Sequence, residues 1–282
     1  MNDAPTPVWS LRQYLFRDKN FERRVDGDVV LAERANQLYR DTNYSDLITF
    51  EEDIARIAAL VFLITESAGS LAELGAFASL KAVRKNLAIL IQTEHEAAES
   101  FVRYGPVKRL MDEDNRRVGV YPWRTNKKGH IVKSVAGRHA ASMIKFVNSL
   151  MKRVPKEELY RTAEPLQPFA NVLWVLYLAQ AIPITELISY MTELSGMEQW
   201  ELRNKLYCMQ LAGWVGTYSY ENKVYWFSTA DSDPFSRYAF KPGVERDTAR
   251  RKAAVVASIK DNLKVPKHVR EVVLGKKIDA AA

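Results

Sequence analysis

Apolar residues in the first half of the chain gather into short unalternated runs, separated by stretches with helical spacing. Val61–Ile64 is apolar and rich in β-branched residues, which predicts a strand buried on both faces. Leu87–Gln92 predicts a second such strand, Val118–Tyr121 a short last one, and Val29–Ala32 a strand ahead of them. Helical spacing covers Phe50–Ala58, Leu71–Val83 and Ser100–Asp112, the last around a Gly105-Pro106 break. Strands alternating with helices imply an α/β fold with a parallel, Rossmann-like sheet. Ligands of such sheets bind beyond the carboxyl ends of the strands.

The second half has a different rhythm. Arg124–Gly137 predicts an exposed linker, and a helical pattern resumes over Arg138–Val154. Pro155, Pro165 and Pro168 then interrupt the chain. Helices follow at Phe169–Ala181, Glu186–Leu194 and Glu198–Leu211, and then Trp214–Tyr220 and Val224–Ser228 form a hairpin through Glu221-Asn222-Lys223. That order fits a winged helix-turn-helix-like α+β module with Glu198–Leu211 in the recognition position. The alternative is a small helical bundle with an added hairpin, used for oligomerisation or partner docking. Glu198, Glu201, Arg203 and Lys205 give the recognition-position helix mixed charge. The expected division is 1–123 for the α/β domain, 124–168 for a basic linker and helix, and 169–282 for the winged-helix-like domain with a basic helical tail.

Composition narrows the class. The 282 residues are 47% hydrophobic and 11% aromatic, enough for about two domains with apolar cores. The longest apolar runs, Ile57–Ile64 and Val172–Ala179, fall short of the ~20 residues that span a bilayer. The start, MNDAPTPVWSLRQ, has no basic segment leading into an apolar core, so a cytoplasmic protein with no membrane partner is expected. The one cysteine, Cys208, lies in an apolar helical stretch and predicts a buried thiol. His95, His130, His139 and His268 have no ligand spacing, so no metal site is expected. The absence of a Walker-type glycine-rich loop argues against an NTPase.

Net charge is +7, and it is segregated. No acid occurs from Asn115 to Lys156, a window holding Arg116, Arg117, Arg124, Lys127, Lys128, Lys133, Arg138, Lys145, Lys152, Arg153 and Lys156. The tail from Arg237 is also basic, with clusters at Arg250–Lys252 and Lys276–Lys277. Such segregation is the footprint of a polyanion partner, nucleic acid first, with Arg116, Arg117, Lys127 and Lys128 as candidate contacts. A solvated basic surface is the alternative.

Candidate chemistry concentrates in Val61–Phe77, VFLITESAGSLAELGAF. An apolar strand ends in a Glu-Ser-x-Gly-Ser loop that feeds a helix carrying Glu73. A helix taken to begin at Leu71 has Glu73 in its first turn, at the mouth of a site where N–H groups and the positive helix end point at a ligand. Cleavage of an N-glycosidic bond passes through an oxocarbenium-like state and needs a carboxylate beside the anomeric carbon. Glu73 is the candidate nucleophile or electrostatic stabiliser. Ser67, Gly69 and Ser70 would hold a phosphate or ribose, and Glu66 would bind ribose hydroxyls or the base. Glu52 or Asp53 would supply a second carboxylate, and Tyr104 would shape or touch the pocket rim.

VFLITESAGSLAELGAF, NLAILIQ at Asn86–Gln92 and SFVRYGPVKRL at Ser100–Leu110 together resemble nucleoside deoxyribosyltransferase-like effectors of bacterial retrons, over roughly Ser45–Tyr121. The resemblance implies that Glu73, in its E-L-G context, is the nucleophile toward the sugar. It implies a toxin that cleaves an N-glycosidic bond, with NAD as substrate and no cofactor. Its implied partners are the retron reverse transcriptase and its multicopy single-stranded DNA with the linked RNA (msDNA and msrRNA), which hold the effector in check in an antiphage system. A homo-oligomer or filament is left open. The family's sheet begins with an apolar strand and a Cys-Gly-Gly-like loop, whereas this chain has MNDAPTPVWS before a helical pattern at Ser10–Arg17. An upstream start, a truncated domain or a rearranged pocket would each account for that departure. The functions weighed are a nucleotide N-glycosidase, a DNA-binding regulator that senses a nucleotide without turning it over, and a base-exchanging transferase.

Overall fold

Leu87 to Ile91 are completely buried, and their side chains point alternately to two apolar layers. In the computed structural model, which describes residues 6–31, 44, 46–155, 158–159, 167–230, 234, 238–239, 257 and 265–281, these residues form the middle of a parallel sheet. Its strands are β1 (Val61–Thr65), β2 (Leu87–Gln92) and β3 (Val118–Tyr121), in spatial order β1-β2-β3. Val61 pairs with Leu87 and Ile89 with Val118. The predicted strands thus occur where expected, β1 one residue longer. Val29–Leu31 has no regular structure, and Ala32 lies outside the described residues.

The chain divides into two compact units, Met1–Val29 with Ile54–Val154, and Val30–Asp53 with Pro155–Ala282. In the first unit, one layer packs Leu87, Ile89 and Ile91 against Leu74, Phe77, Val107 and Leu110. These come from helix Ala68–Ser79 and from the helical run Arg103–Asp114. The other layer packs Ile64 and Leu90 against Leu11 and Leu15 near the N-terminus and Met143, Ile144 and Val147 of helix Lys133–Met151. Gly119 lies where that layer is tightest: a Cβ there would sit 2.7 Å from Leu90 Cδ2.

Two expected features differ for local reasons. Pro106 does not break its helix, because Arg103–Val107 widens into a π turn that accommodates the ring. The helix expected from Arg138 begins at Lys133, because Ile131 is anchored just before it: its N–H donates to Val8 O at 2.7 Å and its side chain is buried. Residues from Trp123 to Val147 therefore share the core of β1 and β2, and the stretch expected as a linker is part of the first unit.

The second unit contains helices Gln167–Ala179, Ile184–Ser195 and Gln199–Leu211, a short strand Ile182–Pro183, and the hairpin Val215–Tyr220 with Lys223–Ser228. The short strand pairs antiparallel with Lys223–Ser228, giving a three-stranded sheet with that strand in the middle. Helix Ile184–Ser195 ends at Gly196, which takes the left-handed conformation (φ 69°) that a glycine adopts without a Cβ penalty. A basic helix, Lys267–Ala281, carries the Lys276–Lys277 cluster, while Arg250–Lys252 lies outside the described residues.

Lys205 does not contribute to a mixed surface charge, as its position in the sequence suggested. It is buried, with Nζ 3.0 Å from Asp53 Oδ2 and 4.7 Å from the centre of the Phe169 ring. The Tyr44 hydroxyl donates to the same Asp53 oxygen at 2.7 Å and lies 3.1 Å from Cys208 Sγ. Burial pushes the Cys208 thiol up to about 12, so it stays protonated at neutral pH. Removing one member of a buried ion pair strands the other charge. Asp53→Asn is expected to destabilise the protein by about 3–5 kcal/mol in a denaturant titration, whereas Asp53→Leu with Lys205→Met is expected to recover most of that loss. A single variant as stable as the wild type would show that the pair is not an anchor.

Candidate functional site

The carboxyl end of β1 runs directly into the helix that carries Glu73. Ser67 is the N-cap, in extended conformation, and it forms a reciprocal capping box with Ser70. Ser67 Oγ accepts from the Ser70 N–H at 3.1 Å, and Ser70 Oγ accepts from the N–H groups of Ser67 at 2.9 Å and Glu66 at 3.0 Å. Ser70 Oγ also donates to Ser67 O at 2.9 Å. A hydroxyl has one donor and two acceptor places, so Ser70 is saturated by its own loop. Ser67 is exposed and retains acceptor capacity toward solvent.

The cap sets the helix start at Ala68 rather than Leu71. Glu73 therefore belongs to the second turn, not the first. Side chains on a helix lean toward its N-terminus, and Gly69 is the residue one turn before Glu73. The Ala68 and Gly69 N–H groups belong to the first turn and have no intrahelical acceptor. Gly69 is exposed, and a Cβ there would meet only Ser67 Oγ at 3.8 Å, so the space above it is open. Glu73 is exposed as well. Tyr104, 56% exposed, lies in the π turn that packs beside this helix, with the Arg103 guanidinium 5.4 Å from its ring centre. The structure thus brings Glu66, Ser67, Gly69, Ser70 and Glu73 to one strand end, with Tyr104 on a neighbouring segment.

Glu66 has a partner that the sequence reasoning missed. Its carboxylate accepts from the backbone N–H of Leu11 at 2.5 Å and of Arg12 at 3.1 Å, the opening of the N-terminal helix. Ser10 caps that helix by accepting from the Gln13 N–H at 3.0 Å. The signal was present as the capping pattern Ser-x-x-Gln at Ser10–Gln13, but nothing local names Glu66 as the acceptor. Burial raises the Glu66 carboxyl above its usual range, and the two N–H donors pull the other way without cancelling it. Glu52 and Asp53 belong to the second unit, where Asp53 is committed to Lys205 and Tyr44.

The four nucleic-acid candidates divide sharply. Arg117 is nearly buried, pairs with Glu113 at 2.8 Å and donates to the carbonyls of Arg84 and Lys85. Arg116 pairs with Asp114 at 2.8 Å, and Arg153 reaches the same carboxylate at 3.0 Å. Hydrogen bonding from Arg116 and then Arg153 holds Asp114 well below the usual carboxylate range. These arginines tie the turn before β3 together. Lys127 and Lys128 are exposed on the turn that ends at Gly129 (φ 78°), where Asn126 Oδ1 accepts from the N–H groups of Lys128 and His130.

Residues 9–217 match the family model described as the STM3845 retron effector protein. The chain belongs to this retron effector family. Two curated relatives from Escherichia coli add a local likeness, each named "putative ribosyltransferase/DNA-binding protein", one from retron Ec73 and one from retron Ec86. Identity is 34% over 71 residues with the first and 32% over 72 with the second. The matched stretch is 25% and 26% of this chain, and it spans only 22% and 24% of those relatives. No helix among the described residues of this retron effector is long and apolar enough to cross a membrane.

Two outcomes test the strand end. Ser67→Ala removes the cap and is expected to cost about 1 kcal/mol, read as a lower midpoint in urea. Glu66 binds its proton more tightly folded than unfolded, so the folded state gains from low pH and loses that gain as pH rises through the raised value. Wild type is therefore expected to lose stability relative to Glu66→Gln as pH rises above the usual carboxylate range, in thermal melts at stepped pH. A difference that does not change with pH would contradict the burial argument.

Proposed function

We propose that this retron effector is the antiphage toxin of its system and acts in the cytoplasm as a nucleotide N-glycosidase. NAD is the proposed substrate, and no cofactor is required. The observation that carries this is Glu73, exposed one helical turn beyond the open N–H groups of Ala68 and Gly69 at the carboxyl end of β1. The first-turn N–H groups and the helix dipole would hold a phosphate of the dinucleotide, and Ser67 would add a hydroxyl. Glu73 would meet the anomeric carbon as nucleophile or as the charge that stabilises the oxocarbenium-like state. The C1′–N bond breaks, nicotinamide leaves with the bonding pair, and water supplies hydroxide to C1′ and a proton to solvent. The products are nicotinamide, ADP-ribose and a proton. The names of the two relatives, which include ribosyl transfer and DNA binding, agree with this chemistry.

The second unit would serve as a winged-helix-like module that engages the retron reverse transcriptase and its multicopy single-stranded DNA and RNA, which would hold the toxin inactive. Its order of helix, short strand, two helices and hairpin supports that role.

One observation favours a second possibility, a nucleotide-sensing DNA-binding regulator without turnover. Glu66 is occupied by the N-terminal helix and Ser70 by its own cap, which removes two of the expected ligand contacts. The two functions separate in one experiment. NAD and nicotinamide are followed by mass spectrometry in cells that express this chain alone or as Glu73→Gln. Loss of NAD with release of nicotinamide is expected, reduced at least about a hundredfold in the variant. Stable NAD with the wild-type chain would replace the glycosidase by the sensor.

A further inference from the structure

Helix Lys133–Met151 contains no acidic residue, and its two sides differ completely. Ala136, Ala140, Met143, Val147 and Leu150 are buried on the core side. Arg138, Lys145 and Lys152 recur every seven residues on the opposite side and are exposed. At 100° per residue, seven positions return to within about 20° of the start, so the three cations form one stripe. At 1.5 Å per residue the stripe is about 21 Å long, the reach of roughly six nucleotides stacked 3.4 Å apart.

An open groove of about 360 Å³ runs beside the stripe, lined by Lys145, Lys152, Arg24, Asn148, Ser149 and Ile144 among others. Asn148 fixes the groove's second wall: its Nδ2 donates to Arg24 O at 2.9 Å and its Oδ1 accepts from the Asp26 N–H at 3.0 Å. Asp26 enters this corner through its backbone and does not line the groove. Arg24, Arg138, Lys145 and Lys152 have no ion-pair partner among the described residues. Arg116 and Arg117, from the same acid-free window, are neutralised by Asp114 and Glu113. Cations already paired have little left to give a phosphate, whereas unpaired ones release counterions when a phosphate arrives.

We infer that the stripe Arg138–Lys145–Lys152, with Arg24 across the groove, is a binding site for the phosphodiester backbone of single-stranded nucleic acid. It rests on the proposal that a nucleic acid is among this effector's partners, and it assigns the contact to a face that the sequence did not separate from Arg116 and Arg117. The groove has an apolar floor at Ile144 and Ala141, so it offers contact to sugars while the rim holds phosphates. No base-reading group is implied, and binding is expected to be sequence-tolerant and steeply dependent on salt.

The test uses the full chain and a fluorescein-labelled oligothymidine of 20 nucleotides (about the length a single stacked strand needs to cover the stripe several times over), with anisotropy recorded across a salt series. Wild type is expected to bind with a linear log–log salt dependence. The triple variant Arg138→Gln, Lys145→Gln, Lys152→Gln is expected to lose affinity roughly tenfold or more and to lower the slope by about 2, from ~0.7 per phosphate contact. The charge-keeping triple Arg138→Lys, Lys145→Arg, Lys152→Arg is expected to bind like wild type. A charge-matched control, Lys81→Gln, Lys108→Gln, Lys267→Gln, is expected to leave the slope unchanged. Equal losses in both glutamine triples would reduce the effect to net charge and overturn the site. Binding to phosphatidylserine vesicles with none to the oligonucleotide would overturn it in favour of a lipid surface. These readouts do not involve NAD, so failure of the stripe and failure of the glycosidase are seen separately.

Discussion

A strand with no water on either side is the constraint from which the first unit follows. Leu87 to Ile91 are fully buried, so apolar layers must cover both faces of β2, and the backbone must pair on both edges. At about 25 cal/mol per Å² of apolar surface, removal of five such residues from water outweighs any single polar contact in the unit. Helix Ala68–Ser79 covers one face and helix Lys133–Met151 the other. The second of these has to be delivered from beyond β3, which is why Ile131 is pinned to Val8 and why the acid-free stretch becomes part of the core. The same arrangement leaves the carboxyl end of β1 uncovered at Ser67 and Gly69, where the chain turns into the Glu73 helix.

That place is contested. Glu66 and Glu73 are seven residues apart and serve opposite ends. Glu66, at the strand end, is half-buried and accepts two backbone N–H groups from the N-terminal helix. Glu73, carried a turn further by the capping box, stays exposed. A half-buried carboxylate with two donors fixes structure, since loss of either donor leaves part of its desolvation cost uncompensated. The loop therefore separates a half-buried acid held by backbone donors from an exposed one, with Ser70 saturated between them.

Charge follows the same division between groups that are used up and groups that are not. Arg117 and Lys205 are counted as positive in the sequence, yet one is tied to Glu113 and to backbone carbonyls and the other is buried against Asp53. Exposed pairs such as Arg116–Asp114 contribute only about 0–1 kcal/mol to stability, but they remove a cation from the surface field. Among the cations of the first unit with no ion pair, Arg138, Lys145 and Lys152 align on one side of helix Lys133–Met151.

Period and composition were enough to place β1, β2 and β3, the helix–helix–hairpin order of the second unit, and a carboxylate helix after the first strand. These are local properties: unalternated β-branched runs, the 3.6-residue period and turn residues act over fewer than about fifteen positions. The Ser67 cap was also local, and the signature Ser-x-x-Gln at Ser10 marked a second helix start, although the position of Glu73 within its helix depended on where capping began. Partners distant in the chain were decided by tertiary structure alone. Nothing near Glu66 indicates that Leu11 and Arg12 will reach it, nothing near Asp53 indicates Lys205, and Arg117 becomes structural only because Arg84 and Glu113 converge on it. Side chains of one charge look alike in a sequence; burial and a partner 50 or 150 residues away determine which of them remain free to act.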